Sequence, residues 1–275
     1  MATKTISVMG CGWLGLPLAE KLVTMGYQVK GSTTTPGKKA VLQEKGIQPF
    51  FLSFPENMPK TELQEFLTAE VLVINLPPSR SSYEASTYEQ LLATVLEARS
   101  TTLKAILFVS STSVYPDLNR EVFEEEALAS PEATSLMLRC EYLVQQVPKV
   151  TSTIVRFGGL MGGNRHPGRF LAGKTAVPNP TGPVNMIHLA DCVALITEIL
   201  RQQKWGYTFN ACAPVHPSRE EFYTVAAQQL GLVPPVFSHQ EKTSFKLINS
   251  DYLQKKLHYS FQFPDPIQCL SSPGF

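Results

Sequence analysis

A run of hydroxyl side chains follows a predicted apolar strand near the middle of the chain. Residues 105–109 are apolar, and five of the next six residues carry hydroxyls: Ser110, Ser111, Thr112, Ser113 and Tyr115. In open α/β sheets, ligands bind beyond the carboxyl ends of the strands. Hydroxyls at that place can bond a substrate carbonyl or alcohol, or they can satisfy backbone groups at the strand end. We predict that Ser111 and Thr112 contact a substrate, with Ser111 as a candidate for catalysis.

Three glycines near the N-terminus have the spacing of a phosphate-binding loop. In "VMGCGWLG", Gly10, Gly12 and Gly15 form G-x-G-x-x-G between a predicted strand (5–9) and a predicted helix (14–25). The first glycine permits a tight turn, the second lets a pyrophosphate approach, and the third lets the helix pack closely. The helix N-terminus adds free N–H groups and partial positive charge. We predict a dinucleotide here, with Trp13 and Leu14 also in contact; an ordinary glycine turn is the alternative.

The residues after the second predicted strand bear on which dinucleotide binds. An NAD site usually has Asp or Glu about 20 residues after the glycines, but no acid occurs from residue 26 to residue 41. Ser32, Thr33 and Thr34 can donate to a 2′-phosphate, and Lys38 can neutralise it. We therefore predict NADP, with NAD possible. The alternative is that the lysine belongs to a solvated helix start.

Other predicted strand ends complete the cofactor site. The carboxyl ends of parallel strands meet at one edge of the sheet, where a dinucleotide binds. The further residues assigned to this cofactor site are Asn75, Leu76, Pro77, Ser110, Phe157 and Gly158.

A glycine-rich, basic segment follows the sixth predicted strand. "RFGGLMGGNRHPGRFLAGK" carries Arg165, His166, Arg169 and Lys174. Three fixed cations suit a phosphate or carboxylate on a substrate, although a solvent-exposed basic loop is an equal alternative. His166 is also a candidate general acid or base, because its ordinary pKa lies near neutrality.

The pattern of elements predicts the fold that positions these residues. Apolar strands alternate with amphipathic helices, which is typical of βαβ units and a parallel sheet. We predict an α/β, doubly wound Rossmann sheet with a dinucleotide-binding domain at 1–157. A smaller substrate-binding region at 158–275 is built onto the same sheet. A helix is expected over 131–147 with Pro131 in its first turn, and residues 157–185 are expected to form a loop.

Composition narrows the classes of partner. The 275 residues carry a formal net charge of +1 and show no dense Lys/Arg stripe, so we expect no nucleic acid partner. There is no run of 18 apolar residues, so we expect no membrane partner. Five scattered cysteines are typical of reduced thiols, which favours the cytoplasm, and no ligand spacing indicates a metal. We expect a small-molecule substrate and a monomer or homodimer.

Several segments resemble the extended short-chain dehydrogenase/reductases, a family that includes sugar-nucleotide epimerases and dehydratases. "VSSTSVYP", "NMIHLADCVALI" (185–196) and "INSDYLQKKLHYSF" (248–261) resemble motifs of that family. More closely, four segments in order are similar to the YeeZ-type proteins: "GCGWLGLPLAEKL", "SSTSVYP", "NRHPGRFLAGK" and "FNACAPVHPSREEFY". The resemblance covers nearly the whole chain.

The resemblance also implies a departure from the family's chemistry. The family pairs a Ser or Thr, matched here by Ser111, with a Tyr-x-x-x-Lys. Aligned through Glu141, Ser135 takes the tyrosine position and Arg139 the lysine position. A serine hydroxyl has too high a pKa for that proton transfer, and arginine cannot deprotonate, although Arg139 could hold a ribose or phosphate. Tyr115 is left as a candidate acid.

Three functions compete at this point. The first is an NAD(P)-binding, epimerase/dehydratase-like oxidoreductase that acts on a nucleotide-linked or phosphorylated small molecule. The second is a non-catalytic NADP(H)-binding redox sensor or assembly protein, which the missing Tyr and Lys favour. The third, a hydroxyacid dehydrogenase, is disfavoured because strand-like "YTFNAC" (207–212) lies where that family is helical.

Overall fold

The chain alternates strands and helices along most of its length, as the sequence predicts. The computed structural model describes residues 4–54, 58–78, 85–240 and 244–272. As far as Gln145 the elements are β1 (Thr5–Met9), α1 (Gly15–Thr24), β2 (Gln28–Thr33), α2 (Lys38–Glu44), β3 (Gln48–Phe51), α3 (Lys60–Leu67), β4 (Val71–Ile74), α4 (Ala85–Glu97), β5 (Ala105–Ser111), β6 (Arg120–Val122) and α5 (Leu136–Gln145). They are followed by β7 (Thr151–Phe157), β8 (Gly159–Met161), α6 (Gly168–Leu171), β9 (Met186–His188), α7 (Leu189–Gln202), β10 (Thr208–Ala211), α8 (Arg219–Gln229), β11 (Lys246–Ile248), α9 (Asp251–Leu257) and α10 (Pro266–Leu270).

Seven strands form one sheet in the order β10-β7-β5-β4-β1-β2-β3. Strand β1 pairs in parallel with β2 and with β4, and the pairs β2–β3 and β4–β5 are also parallel. The order reverses its direction at β1 and β4, which is the topology of a doubly wound sheet. All four residues of β4 are buried, as a sheet covered by helices on both faces requires. The predicted Rossmann fold class is thereby confirmed.

The chain divides into two compact units, each assembled from three segments. The first unit comprises the described parts of Met1–Ser110, Leu128–Val155 and Ile196–Thr208. The second comprises the described parts of Ser111–Ala127, Arg156–Leu195 and Phe209–Phe275. The predicted division into domains at 1–157 and 158–275 concerns cofactor and substrate binding, and it stays a prediction.

Two strands run further than the apolar pattern predicts. Strand β2 continues past Gly31, because Ser32 and Thr33 pair with Phe50 and Phe51 of β3. Strand β5 continues past Val109 to Ser111. Hydroxyl residues predicted to follow these strands therefore lie on them. Their backbone is held by the strand, so their side chains point in fixed, alternating directions.

Helix α3 was not predicted from the sequence. It begins after Pro59. Proline is tolerated at the start of a helix but not in its interior, because it has no backbone N–H to donate. Leu63, Phe66 and Leu67 are buried, at the i, i+3, i+4 spacing of one helix face. Because the segment is short and mostly polar, its sequence pattern does not distinguish a helix from a loop.

The prediction of a helix over 131–147 is wrong in its first turn. Helix α5 begins after Ser135, and Pro131 lies in a turn outside it. Arg139 donates from Nη1 to the carbonyl oxygens of Ala133 (2.7 Å) and Thr134 (3.2 Å). A side chain thus satisfies carbonyls that a longer helix would have bonded through its own backbone.

The alternation of elements also predicts a helix over 83–99, whose start at Tyr83 lies outside the described residues; α4 is described from Ala85.

The predicted loop 157–185 contains regular structure in the second unit. Strand β8 pairs in parallel with β9, and α6 is a single helical turn. Part of the core of this unit is formed by Met161, Val184, Met186, Phe222, Ala226, Cys269 and Leu270. The prediction of an irregular loop was wrong because its glycines and prolines obscured two short elements.

A buried carboxylate fixes the C-terminal segment of the second unit. Asp191, in the first turn of α7, is fully buried. It accepts hydrogen bonds from the Tyr259 hydroxyl (2.6 Å) and from the backbone N–H groups of Gln262 (2.7 Å) and Phe263 (3.0 Å). A carboxylate near a helix N-terminus is also favoured by the helix dipole. The segment 259–263 is therefore fastened to α7.

Candidate functional site

The glycine loop is fastened to the end of β2. Gly10 has a φ of +96°, and a Cβ there would lie 2.5 Å from the Asn75 carbonyl oxygen, so only glycine fits. The Gly10 N–H donates to Ser32 Oγ (2.9 Å), and the Cys11 N–H donates to the Ser32 carbonyl (2.8 Å). These bonds hold the loop between β1 and α1 in one conformation.

The start of α1 offers an open approach to an anion. Gly12 is exposed, and a Cβ built on it would meet no atom within 4 Å. Gly15 packs against the Gly10 carbonyl so closely that a Cβ would collide with it. Leu14, the N-cap, makes no side-chain capping bond, and the first turn of α1 has no acid. No side chain caps the start of α1, which fits a phosphate there, although the Leu16 N–H already donates to the Gly12 carbonyl oxygen (3.1 Å).

Residues after β4 are held against this loop. Asn75 Nδ2 donates to the Gly10 carbonyl oxygen (3.2 Å). The Tyr88 hydroxyl donates to the Leu76 carbonyl oxygen (2.6 Å), and Pro77 is exposed. Tyr88 is buried on α4 and was not identified from the sequence. No pattern distinguishes it from an ordinary core residue, because its partner is a backbone carbonyl 12 residues away.

The end of β2 presents hydroxyls and one cation. Thr33 Oγ1 accepts a bond from the Thr35 N–H (3.1 Å), whereas Thr34 and Lys38 are exposed. Burial raises the pKa of the Cys11 thiol to about 12, and the charge of Lys38 acts in the opposite direction. Lys38 therefore contributes positive potential at the glycine loop. Whether this end of β2 holds a 2′-phosphate or a ribose hydroxyl stays a prediction.

Ser110 lies on β5 and is bonded to a buried carboxyl group. Its hydroxyl donates to Glu141 Oε1 of α5 (2.5 Å), and both residues are buried. Glu141 served only as an alignment marker in the sequence, and its contact with β5 was not predicted. The bond joins α5 to the carboxyl end of β5 within the first unit.

The residues aligned with the family's Tyr-x-x-x-Lys have other partners. Ser135 is the N-cap residue of α5, although its side chain makes no capping bond. Arg139 forms an ion pair with Glu89 of α4 (Nε–Oε1, 2.6 Å). Its role in holding a ribose or phosphate stays a prediction. The pair joins α4 to α5, and the side chains of both residues are largely shielded from solvent.

The second unit begins with the hydroxyl turn. Ser111 ends β5, and its Oγ accepts a bond from the Ser113 N–H (3.1 Å). A serine hydroxyl has one donor and two acceptor positions, so this bond leaves the Ser111 proton for another acceptor. Thr112 is buried, and its carbonyl accepts a bond from the Tyr115 N–H (3.3 Å).

Tyr115 anchors this turn from inside the second unit. Its hydroxyl donates to Asn210 Oδ1 (2.7 Å) and accepts from Arg156 Nη1 (2.6 Å). Arginine can only donate, which fixes the direction of both bonds. Burial raises the pKa of Tyr115 to about 12, against the lowering effect of Arg156. The phenol proton is engaged by Asn210, and the role of Tyr115 as an acid stays a prediction.

Two predicted cofactor residues follow directly in the second unit. Phe157 and Gly158 are buried. The Gly158 N–H donates to the Ala211 carbonyl oxygen (3.0 Å), and a Cβ on Gly158 would lie 2.7 Å from the Asn185 carbonyl oxygen. Their contact with a cofactor stays a prediction.

Arg165 and His166 lie at a tight turn. Gly162 and Arg165 form an antiparallel bridge, and the Gly168 N–H donates to His166 Nδ1 (3.1 Å). A neutral His166 ring then carries its proton on Nε2. Burial, and secondarily Arg169, lower the pKa of His166, so the ring is neutral at pH 7. Arg169 and Lys174, on and after α6, are exposed.

His188 lies at the junction of β9 and α7. His188 Nδ1 accepts a bond from the Ala190 N–H (3.2 Å), and its ring lies 4.1 Å from that of Phe263. Among residues 4–54, 58–78, 85–240 and 244–272, no group of three His, Cys, Asp or Glu could hold a metal ion. Within the same ranges, none of the helices has the length and apolar character needed to span a bilayer.

The predicted residues thus fall into two sets. In the first unit, the glycine loop, Ser32 and Asn75 are joined by hydrogen bonds, with Thr33, Thr34 and Lys38 continuing from β2. Ser110 and Arg139 are bonded to α5 and α4 instead. In the second unit, the turn at Ser111 is anchored through Tyr115. This unit also carries the Arg165–His166 turn.

Comparison with known proteins gives sequence relatives and structural neighbours. No family model matches the chain. It is 36% identical over 270 residues to "Protein YeeZ" of Escherichia coli strain K12, covering 96% of this chain and 98% of that protein. Its fold is similar to that of UDP-glucuronic acid 4-epimerase from Bacillus cereus, solved in complex with NAD. The TM-score is 0.76 at 18% identity, over 97% of this chain and 96% of the other.

A second structural neighbour is human. The epimerase family protein SDR39U1, solved with NADPH, has a TM-score of 0.71 at 17% identity and covers 97% of each chain. Identities this low establish the common fold alone, whereas the 36% identity extends over almost the full length of both sequences. The chain therefore belongs to the YeeZ family of proteins with the short-chain dehydrogenase/reductase fold.

Proposed function

We propose that this protein is an NADP(H)-dependent, epimerase/dehydratase-like oxidoreductase that acts on a nucleotide-linked or phosphorylated small molecule. The observation that carries the proposal is the glycine loop, with its exposed Gly12 and a helix start without a side-chain cap. An anion fits there because no side chain caps the start of α1, where the helix dipole is positive. The structural neighbours, solved with NAD or NADPH, support a nicotinamide dinucleotide as that anion.

The preference for NADP rests on the end of β2. Thr34 and Lys38 are exposed there, and no acid occurs nearby to bond a ribose 2′-hydroxyl or to repel a 2′-phosphate. When bound, the nicotinamide ring would supply or accept a hydride. The protein's own part is to hold the pyrophosphate at Gly12 and to neutralise the 2′-phosphate with Lys38.

The residues proposed for the substrate lie in the second unit. Ser111 can donate its hydroxyl proton to a substrate oxygen, because its Oγ already accepts a bond from Ser113. Arg165 suits a phosphate or carboxylate. A neutral His166 with its proton on Nε2 can donate a hydrogen bond to a substrate oxygen, whereas proton donation would require the charged ring, which the lowered pKa of His166 disfavours at neutral pH. Tyr115 is a poorer candidate for contact with a substrate, because its hydroxyl is buried and bonded on both sides.

A second candidate function is a non-catalytic NADP(H)-binding sensor or assembly protein. The ion pair of Arg139 with Glu89 and the position of Ser135 at a helix N-cap favour it. Neither residue can perform the proton transfer for which the family uses Tyr and Lys. Both functions use the same cofactor site, but only the first includes hydride transfer between the cofactor and a substrate.

The test is a hydride-transfer assay with labelled NADPH and a panel of UDP-sugars and sugar phosphates. We expect transfer to at least one compound, and loss of NADPH binding in Gly12→Asp, because a carboxylate would occupy and repel the phosphate position. Tight NADPH binding with no transfer to any compound would support the sensor. Unchanged NADPH affinity in Gly12→Asp would contradict both functions.

A further inference from the structure

The hydroxyl turn of the second unit, residues 111–115, is held at its far end by a lysine from β11. Lys246 Nζ donates to the Tyr115 carbonyl oxygen (2.8 Å) and forms an ion pair with Asp117 (Nζ–Oδ1, 2.8 Å). The backbone of this lysine is also fixed, because β11 pairs in parallel with β6 and places Lys246 opposite Arg120. The turn is therefore bonded to a cation that comes from a strand.

The side chain of the same tyrosine is held by an arginine from β7. Arg156 Nη1 donates to the Tyr115 hydroxyl (2.6 Å). Its Nη1 and Nη2 also donate to the carbonyl oxygens of Glu124 (2.9 Å) and Ala127 (2.7 Å). Arg156 is only 2% exposed, and apolar side chains of similar size often fill such a place with no loss of stability. A buried guanidinium here indicates a role in fixing geometry.

The direction of these hydrogen bonds leaves one buried donor without an acceptor. Arginine can only donate, so the Tyr115 hydroxyl uses its own proton on Asn210 Oδ1 (2.7 Å). Asn210 is fully buried, and across the described ranges of the chain its Nδ2 has no hydrogen-bond partner. An unsatisfied buried donor reduces stability. That cost accompanies an arrangement in which the Tyr115 hydroxyl lies between two fixed partners.

Both ends of the hydroxyl turn are consequently fixed. Ser111 belongs to β5, whereas Tyr115 is held through its carbonyl and its hydroxyl. Between them, the Tyr115 N–H donates to the Thr112 carbonyl oxygen (3.3 Å) and the Ser113 N–H donates to Ser111 Oγ (3.1 Å). The bond from Ser113 occupies one acceptor position of the Ser111 hydroxyl and so orients it. A displacement of Tyr115 would move Ser113 and allow the Ser111 hydroxyl to adopt other rotamers.

We propose that Lys246 and Arg156 are positioning residues, which act through Tyr115 to hold the Ser111 hydroxyl in the orientation that donates to a substrate oxygen. The proposal rests on the proposed function, because that function assigns Ser111 to the substrate. A displacement of about 1 Å can cost about 100-fold in rate. Two cations that fix one turn can therefore control the rate without contact with the substrate.

The first experiment is Lys246→Met, assayed for hydride transfer from NADPH to the most active compound of the panel. Methionine removes both polar contacts of the ammonium group, and a side chain that is 21% exposed is not essential to the core. We expect kcat to fall by about 10- to 100-fold, with the NADPH dissociation constant unchanged, since the glycine loop does not include this lysine. Lys246→Arg should restore most of the rate, because a guanidinium can make the same two bonds.

A double-mutant cycle separates positioning from a loss of stability. If Lys246 acts through Ser111, Lys246→Met should slow the Ser111→Ala variant by less than about twofold, because the oriented hydroxyl is already absent. Tyr115→Phe keeps the buried ring and removes the hydroxyl that Arg156 contacts, and it should give the same result. Circular dichroism checks that each variant is folded. Equal losses of rate with and without the Ser111 hydroxyl would overturn the proposal.

Amide hydrogen exchange gives a second readout that needs no substrate. We expect the amides of residues 112–115 to exchange at least about tenfold faster in Lys246→Met and in Tyr115→Phe than in wild type. The matched control is Lys255→Met, which removes an exposed lysine paired with Asp251 (3.4 Å) and should leave both the rate and the exchange unchanged. Unchanged exchange of the turn in Lys246→Met would overturn the proposal.

The two readouts distinguish this proposal from the proposed function. An absence of transfer by wild type would count against the proposed function alone, and exchange of the turn would still decide whether the two cations hold it. Transfer by wild type that Lys246→Met leaves unchanged would overturn the positioning role and leave the proposed function intact.

Discussion

The buried phenol of Tyr115 shows how its neighbours decide the chemistry of a residue. On sequence alone it was a candidate acid, because it follows the hydroxyl run. In the structure its hydroxyl lies between Asn210 and Arg156, 95 and 41 residues away in the chain. Those distant partners cannot be read from local spacing, and they make Tyr115 an anchor for the turn at Ser111.

The predicted preference for NADPH over NADH can be tested at a single residue, Lys38. We expect Lys38→Glu to weaken NADPH binding by at least about tenfold and to leave NADH binding nearly unchanged, because a carboxylate repels a 2′-phosphate. The measurement is isothermal titration of both cofactors at one fixed salt concentration.

The control for this variant is Lys39→Glu, one residue further along α2. Both lysines are exposed, but only Lys38 has a charge that affects the Cys11 thiol in the glycine loop. We expect Lys39→Glu to retain most of the preference for NADPH. An unaltered ratio of the two affinities in Lys38→Glu would contradict the assignment of the 2′-phosphate.

The burial of His188 predicts a dependence of stability on pH. Burial lowers the pKa of His188 below its ordinary value of 6.5, and Asp191 only partly opposes this. The unfolded chain therefore binds a proton near pH 6.5 while the folded chain does not. The free energy of unfolding is then fully present above pH 6.5 and falls as the pH decreases below it.

We expect His188→Gln to reduce that loss of stability. Urea midpoints measured at pH 7.5 and pH 5.5 should differ less in His188→Gln than in wild type. The control is His239→Gln, since His239 is exposed. Equal pH dependence of stability in wild type and His188→Gln would show that His188 is not the cause of the loss of stability at low pH.

At the scale of elements, charged and polar side chains join helices to their neighbours. Glu89 and Arg139 connect α4 with α5, and Ser110 and Glu141 connect β5 with α5. Asp191 connects α7 with the segment 259–263. A buried charge with several donors is costly to disturb, because removing it leaves every donor without a partner.

Asp191→Ala should therefore destabilise the fold strongly. Three buried or half-buried donors lose their acceptor, so we expect a loss of about 3 kcal/mol in the free energy of unfolding. The measurement is urea denaturation. Asp251→Ala is the control: Asp251 is also in the first turn of a helix but is exposed, and its pair with Lys255 should contribute less than about 1 kcal/mol. Equal losses in the two variants would contradict the role given to Asp191.

The features of the fold that follow from local sequence pattern were predicted correctly. The alternation of strands and helices identified the doubly wound sheet, and the glycine spacing identified the loop after β1. Helix α3, the late start of α5 and the short elements in 157–185 were missed or misjudged. Their local patterns were ambiguous, because α3 is short and mostly polar, Pro131 suggested an earlier start for α5, and glycines and prolines obscured β8 and α6.

The assembly of each unit from three separate chain segments could not be predicted from local sequence pattern either. The chain passes from one unit to the other five times, so neither unit is a continuous piece of sequence. A fragment that ends at residue 157 would lack residues 196–208 of the first unit. Binding studies therefore require the entire chain, because such a fragment would expose core surfaces that the missing residues cover.

The bonds from the glycine loop to Ser32 constrain how this protein could evolve. In NAD enzymes an acid near the end of the second strand selects the ribose hydroxyl. Here the Ser32 hydroxyl instead accepts the bond from Gly10. A mutation to aspartate at position 32 would alter coenzyme choice and loop geometry at once. A lineage that changed its coenzyme would be expected to mutate positions 34 and 38 first, where the side chains are exposed and the loop is left intact.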